Sequence, residues 1–280
     1  MAIKLIVDSA SDIGAQEAKE MGIEMIPMII GFGDEEFYDG VDLTPKRFYE
    51  KLIGGKVMPK TAQITPFRFE EAFQKATKNG DEVIAILISS KLSGTYEAAK
   101  MAAEKFGGKV FVVDSLSAAV GERLLCQYAL RLIGEGKTAK EVFDELERVK
   151  TKLCVMGVLE TLEYLKRGGR ISGAVAFVGG VLNLKPVVRV VDGEVKMIGK
   201  TRGQKKGGEF INSIVKEAGI DFSMPYGVLW TGLDESIATK YIEDSAEIFE
   251  GRKDVPAYIL GSTIGTHVGP GVFGVAFFEA

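Results

Sequence analysis

Apolar positions in the first half of the chain fall into short β-branched runs separated by stretches of helical period. The runs are IKLIV (3–7), IEMIPMII (23–30), VIAILI (83–88) and KVFVVD (109–114). Between them lie AQEAKEMG, PKRFYEKLIGG, FRFEEAFQKATKNG and SGTYEAAKMAAEKFGG, with apolar residues three and four apart. Each closes on glycine, a frequent helix stop. Pro45 and Pro66 each follow a threonine, which suits an N-cap and a first helical residue. Strands alternating with helices predict a mostly parallel sheet with crossover connections. Two longer helices are expected at about 117–135 and 139–152, the second opened by a capping box of Thr138 and Glu141.

Past residue 150 the pattern changes. KPVVRVVDGEVKMIGK (185–200) reads as two strands around an Asp-Gly turn, and GVFGVAFF (271–278) reads as a buried strand. Antiparallel pairing here predicts a mixed sheet covered by helices. At 280 residues the chain exceeds the size at which single cores usually stop growing. The expected fold class is therefore α/β, with two α/β domains. Residues 1–150 form the domain with the parallel sheet and 151–280 the domain with the mixed sheet. Residues 58–78, which begin MPKTAQITP, are the stretch that can cross to the second.

Composition excludes several classes. Apolar residues make up 46% and charged residues 26%, as in an ordinary soluble protein. The 35 basic and 39 acidic side chains leave a net charge of −4, which argues against a dedicated nucleic-acid binder. No apolar run reaches the ~18 residues of a membrane span. MAIKLIVDS reads as a strand, not a signal peptide, so a cytoplasmic location is expected. Cys126 and Cys154 lie in apolar surroundings and suit buried thiols in a reducing compartment. One histidine and two separated cysteines offer no metal-ligand spacing, so no metal and no redox cofactor are expected.

Candidate chemistry collects at strand ends. IVDSASD supplies Asp8 and Ser9, ISSKLSGT supplies Ser89, Ser90 and Ser93, and VVDSLS supplies Asp114 and Ser115. In an open parallel sheet, ligands bind beyond the carboxyl ends of strands, where helix N-termini favour anions. Helix capping alone would use the same residues. Ser93-Gly94 offers a hydroxyl and an uncluttered backbone at a helix start, without phosphate-loop spacing and without a nucleophile elbow. Basic side chains gather at Lys166, Arg167 and Arg170, and at Lys200, Arg202, Lys205 and Lys206. These are either solvated surface or a dock for an acidic partner. His267, the lone histidine, stands in GSTIGTHVGPG, read as a glycine-rich loop. There it can donate to an anionic head group whose tail lies in a dry cavity.

The chain resembles the DegV family of bacterial fatty-acid-binding proteins nearly end to end. The resemblance is carried by VDSASD, FYDGVDL, TAQITP, ISSKLSGTY, VVDSLSAAVG, LEYLKRGGRIS, LNLKPVVRVVDGE and IGTHVGPG. It departs from the family at Ala10, often threonine there, and at Ala62, often serine. The resemblance implies a long-chain fatty acid such as palmitate enclosed between two α/β domains. Its carboxylate would be held by Thr61, Ser93 and His267, with the Gly94 backbone close by. Ser9, Gln63, Ser115, Asp8 and Asp114 are supporting candidates.

The resemblance further implies a lipid-binding role without chemistry of its own. A separate ATP-dependent fatty-acid kinase would phosphorylate the bound acid, and the acyl-phosphate would pass to phospholipid synthesis. Arg170 and Arg202 are candidates for the kinase-facing surface. Met25, Met28, Leu116, Ala119, Phe177 and Ile264 are candidates for the acyl tunnel. The alternative is a serine hydrolase or acyltransferase built from Ser93, His267 and either Asp8 or Asp114. A ligand-sensing regulator would present the same pocket.

Overall fold

The computed structural model of the chain describes residues 2–171 and 183–280. Strand β1 (Ile3–Asp8) is followed by α1 (Ala15–Met21) and β2 (Glu24–Ile26). The apolar run at 23–30, expected as one strand, is two. Pro27 interrupts it, because proline fixes φ and has no N–H for a ladder. The Met28 N–H turns instead to Ser9 Oγ at 3.0 Å. Beyond the break, β3 (Ile29–Phe32) leaves the parallel sheet and pairs antiparallel with β4 (Glu35–Tyr38) and β5 (Lys60–Ala62). Helix α2 (Pro45–Gly54), capped by Thr44 Oγ1, buries Phe48, Tyr49 and Leu52 against Ile30, Phe32 and Phe37 of this small sheet. The sheet itself was not anticipated.

The alternation then resumes as expected with α3 (Pro66–Thr77), β6 (Glu82–Leu87), α4 (Thr95–Ala103) and β7 (Val110–Asp114). Four strands stand in the order β2-β1-β6-β7, all parallel. Helices α5 (Val120–Gly134) and α6 (Ala139–Val149) complete this half, and both hydrogen bonds of the Thr138–Glu141 capping box are made.

A six-stranded mixed sheet forms the second half. It is built from β8 (Leu153–Val158), β9 (Leu184–Val191), β10 (Glu194–Arg202), β11 (Gly227–Trp230), β12 (Ala257–Ile259) and β13 (Phe273–Phe278). The order is β10-β9-β8-β13-β11-β12, and β11–β12 is its parallel pair. Between β9 and β10, Asp192 and Gly193 both have positive φ, 53° and 81°, as a two-residue primed hairpin turn requires. The remaining helices are α7 (Glu163–Gly168), α8 (Gly203–Ala218), α9 (Ser236–Asp244) and α10 (Ser262–Val268).

Strand β13 shows why this sheet reads as continuously apolar. Phe273, Val275 and Phe277 pack towards α8 and α9, with Ile211, Val215 and Tyr241. Ala276 and Phe278 face the other way and join Val155 and Leu229 in a core shared with the parallel sheet. Each face of the strand is buried by a different partner, so no polar alternation survives. Cys126 and Cys154 are both buried, and burial pushes the Cys154 thiol up to about 12.

The shared core also encloses Glu122 of α5, which is fully buried, with neither carboxyl oxygen in hydrogen-bond geometry among the described residues. Burial, reinforced by Asp8 and Asp12 nearby, drives its pKa well above the ordinary 4.5. The folded chain therefore holds a proton here that the unfolded chain releases. The resulting stability is present below the unfolded value and is lost as pH rises through the folded one. Glu122→Gln is expected to flatten this dependence. Its thermal midpoint should fall less between pH 5 and pH 8 than the parent's, and equal slopes in the two proteins would refute the assignment.

Candidate functional site

Between the two sheets lies a cavity of about 300 Å3. Its walls are apolar: Ile88 follows β6, Val155 lies on β8, Val188 on β9 and Leu229 on β11. Of the tunnel candidates, Met28, Ala119 and Ile264 line it, Met25 and Leu116 do not, and Phe177 lies outside the described residues. Polar groups gather at Thr61, Gln63, Ser93, Arg170, Thr263 and His267.

Thr61, Ser93 and His267 are each positioned by a different element. Thr61 is the middle residue of β5, paired with Ile30 of β3. Its Oγ1 lies 3.0 Å from His267 Nε2. In the Nε2–H tautomer the imidazole donates to Thr61, which leaves the threonine's own proton for an acceptor in the cavity. Ser93 precedes α4, accepts the Thr95 N–H at 3.2 Å and lies 2.9 Å from Thr95 Oγ1. Thr95 Oγ1 itself accepts the Ile64 N–H at 3.3 Å. With Thr95 donating to it, Ser93 Oγ–H is likewise available to a ligand. At Gly94 a side chain would have its Cβ 2.1 Å from Gln63 Oε1, so the amide lies directly on the glycine backbone.

His267 stands in the last turn of a short helix, not in a loop as the glycine content suggested. The helix forms because carboxylates from distant segments cap its start: Asp12 accepts the Gly261 N–H, and Asp39 those of Ser262 and Thr263. Gly265 is required within it, since a Cβ there would stand 2.5 Å from the Phe48 ring. Gly168, at the end of α7, forms the floor under the imidazole, and a Cβ there would lie 2.2 Å from His267 Nδ1. Nδ1 is buried and has no partner among the described residues. Burial, aided by the Arg170 charge, lowers the His267 pKa to about 4, so the ring is neutral at pH 7.

The supporting candidates divide. Gln63 is at the cavity, whereas Asp8, Ser9, Asp114 and Ser115 are not among its lining residues. Asp8 accepts the N–H groups of Ala10 and Ile88. Asp114 accepts those of Ser90 and Leu116. Ser115 donates to the Ser117 carbonyl, and Ser9 receives Met28. These strand ends cap themselves. Of the two departures from the family pattern, Ala62 lines the cavity and Ala10 is buried away from it.

Arg170 is exposed beside the cavity, its Nε donating to the Leu92 carbonyl at 3.2 Å. Arg202, exposed at the end of β10, is not a lining residue. Ser93 is hydrogen-bonded to Thr95 and His267 to Thr61, while Asp8 and Asp114 are committed to backbone N–H groups. The serine–histidine–carboxylate relay of the hydrolase alternative is not assembled.

Thr263 and Gly168 escaped the sequence reading. Thr263 stands four residues before His267, one helical turn below it, and would have been legible had 262–268 been read as a helix. Among the described residues no group of three or more His, Cys, Asp or Glu side chains is placed to hold a metal, and no helix is long and apolar enough to cross a membrane.

Comparison with known proteins gives a consistent result. A family model described as "Uncharacterised protein, DegV family" matches residues 2–280. A DegV domain-containing protein of Caldanaerobacter subterraneus subsp. tengcongensis is 35% identical over 282 residues, covering 99% of each chain. A solved DegV family structure from Thermus thermophilus, described by its fatty acid binding, superposes with a TM-score of 0.90 at 33% identity, covering 100% of both chains. Another, from Eubacterium eligens and described as loaded with heptadecanoic acid, gives 0.86 at 26% identity, again with 100% of both chains covered.

Proposed function

The chain belongs to the DegV family, and from that membership we propose that it encloses a long-chain fatty acid between its two sheets. The observation that carries the reading is an apolar cavity with a neutral hydrogen-bonding end built from Thr61, Ser93 and His267. A C16 tail has about 15 methylene or methyl groups, each worth roughly 0.8 kcal/mol when buried, on the order of 12 kcal/mol in all. The tail supplies the affinity, less the cost of ordering it. A carboxylate entering the same space costs several kcal/mol unless it is hydrogen-bonded. The Thr61 and Ser93 hydroxyls, the His267 ring and the Gly94 backbone offset that cost and fix the head group's orientation.

The protein then serves as the substrate-carrying partner of an ATP-dependent fatty-acid kinase. A carboxylate oxygen of the bound acid attacks the γ-phosphorus of ATP and ADP leaves, with the kinase supplying the nucleotide site. The acyl-phosphate passes to phospholipid synthesis. Arg170, exposed beside the head-group end, and Arg202, exposed on β10, face the kinase in this reading.

Mass spectrometry of an organic extract of the purified protein is expected to show a long-chain fatty acid, and delipidated protein should take up palmitate. With a fatty-acid kinase and ATP, acyl-phosphate should form only when this protein is present. Arg202→Ala should slow that reaction and leave palmitate affinity unchanged. A lipid-free extract together with no uptake of palmitate would overturn the binding reading. Binding without any kinase-dependent turnover would overturn the carrier role alone.

A further inference from the structure

His267 owes its place to a helix that cannot hold itself. Seven residues are too few for a stable isolated helix, so α10 depends on what fastens its first turn. Four consecutive residues there are tied to other parts of the chain. The Tyr49 hydroxyl donates to the Leu260 carbonyl at 3.0 Å. Asp12 accepts the Gly261 N–H at 2.6 Å. Asp39, just after β4, accepts Ser262 N–H on one carboxylate oxygen and Thr263 N–H on the other, both at 3.0 Å. Ser9 Oγ lies 3.4 Å from Thr263 Oγ1.

Asp39 is buried and Asp12 is half-buried with its Oδ2 shielded from solvent, and desolvation raises the pKa of each. A buried carboxylate is an expensive way to cap a helix, since a serine or asparagine satisfies an orphan N–H without charge. Here two carboxylates satisfy three successive N–H groups, at the end of α10 where the helix dipole favours negative charge. The same short helix also faces the cavity: Thr263 in its first turn and His267 in its last, four residues apart and on one helix face, both line it.

We propose that Asp39 and Asp12 are positioning residues for the carboxylate site, setting head-group affinity through α10 without touching the ligand. By pinning residues 261–263 they fix where Thr263 and His267 stand relative to Thr61 on β5. The inference rests on the fatty-acid reading above, and it assigns a role in that reading to two residues remote in sequence from the site.

The lone histidine makes the test clean, because 15N-labelled histidine reports on a single ring. In delipidated Asp39→Asn the His267 ring signals should shift, and palmitate affinity should fall about tenfold. Affinity for 1-hexadecanol, which has the same tail and no carboxylate, should stay within about twofold. Unchanged ring signals and unchanged palmitate affinity would overturn the proposal and leave the fatty-acid reading standing. An equal loss for both ligands would also overturn it, since it would mark a general loosening of the cavity. A parent protein that binds neither ligand would instead sink the underlying reading. Should Asp39→Asn not fold, Asp12→Asn carries the same comparison. Failure of both variants to fold would show that the carboxylates sustain the whole structure, against the proposal.

Discussion

His267→Ala is expected to weaken palmitate binding by about ten- to a hundredfold, the usual range for losing a hydrogen bond to a charged group, here the one Thr61 makes while the ring orients it. The ring is neutral, and its Nε2 meets Thr61 Oγ1 at 3.0 Å. Its removal takes away a donor and also releases the threonine from its orientation. Thr61→Val should act in the same direction, and the double variant should lose less than the two single effects combined, because the pair works through one hydrogen bond. The fold should survive, since the ring packs on Gly168, leaves Nδ1 unpartnered and gives up only the one hydrogen bond to Thr61. Displacement of a fluorescent fatty acid from delipidated protein, with thermal unfolding alongside, separates these effects. Parent-like affinity in both single variants would remove Thr61 and His267 from the head-group site.

Gly274→Ala should be the most damaging small substitution in the second sheet. Gly274 of β13 pairs with Gly157 of β8, and an added Cβ would stand 2.0 Å from the Met156 carbonyl oxygen and 2.7 Å from Gly157 Cα. Both obstacles are backbone atoms of the adjoining strand, so no rotamer change relieves them. We expect a loss of about 3 kcal/mol or more, at the upper end of overpacking costs. For a chain of this size that lowers the thermal midpoint by about 6–12 °C, or prevents soluble expression. Gly54→Ala is the matched control: its Cβ would meet nothing within 4 Å, at the end of α2. A midpoint for Gly274→Ala within a degree or two of that control would show that the two strands are not held this close.

The elements that were legible are those whose signal is local. The Thr138–Glu141 capping box, the Asp192-Gly193 hairpin and the proline-initiated helices each depend on residues within a few positions of one another. The small sheet was not legible, because its strands are short and are brought together by a break at Pro27 and a return at Lys60–Ala62. Helix α10 was misread for a similar reason: its caps come from Asp12 and Asp39, more than two hundred residues away in sequence.

At the site, Thr61, Ser93, Gly94 and His267 do line one cavity, and the family resemblance named them together. Residue type alone could not separate them from Asp8, Ser9, Asp114 and Ser115. An oxygen that caps a turn and an oxygen that holds a ligand are the same chemistry at a strand end. What tells them apart is whether the N–H groups beside them are already satisfied, which only the assembled fold decides.

The position of β13 has a consequence for biosynthesis. Ribosomes release the polypeptide from its amino end, and the parallel sheet is complete well before the mixed one. In the mixed sheet β8 is made early, β11 some seventy residues later, and β13, which separates them, follows both. Until it emerges, β8 and β11 present unpaired edges to solvent or to a chaperone. Helix α10, immediately upstream, is also made late, after every segment that fastens its first turn. A nascent chain would therefore complete the cavity wall, and on the fatty-acid reading its hold on a lipid, abruptly, when this strand slots into the middle of its sheet, and not by degrees as translation proceeds.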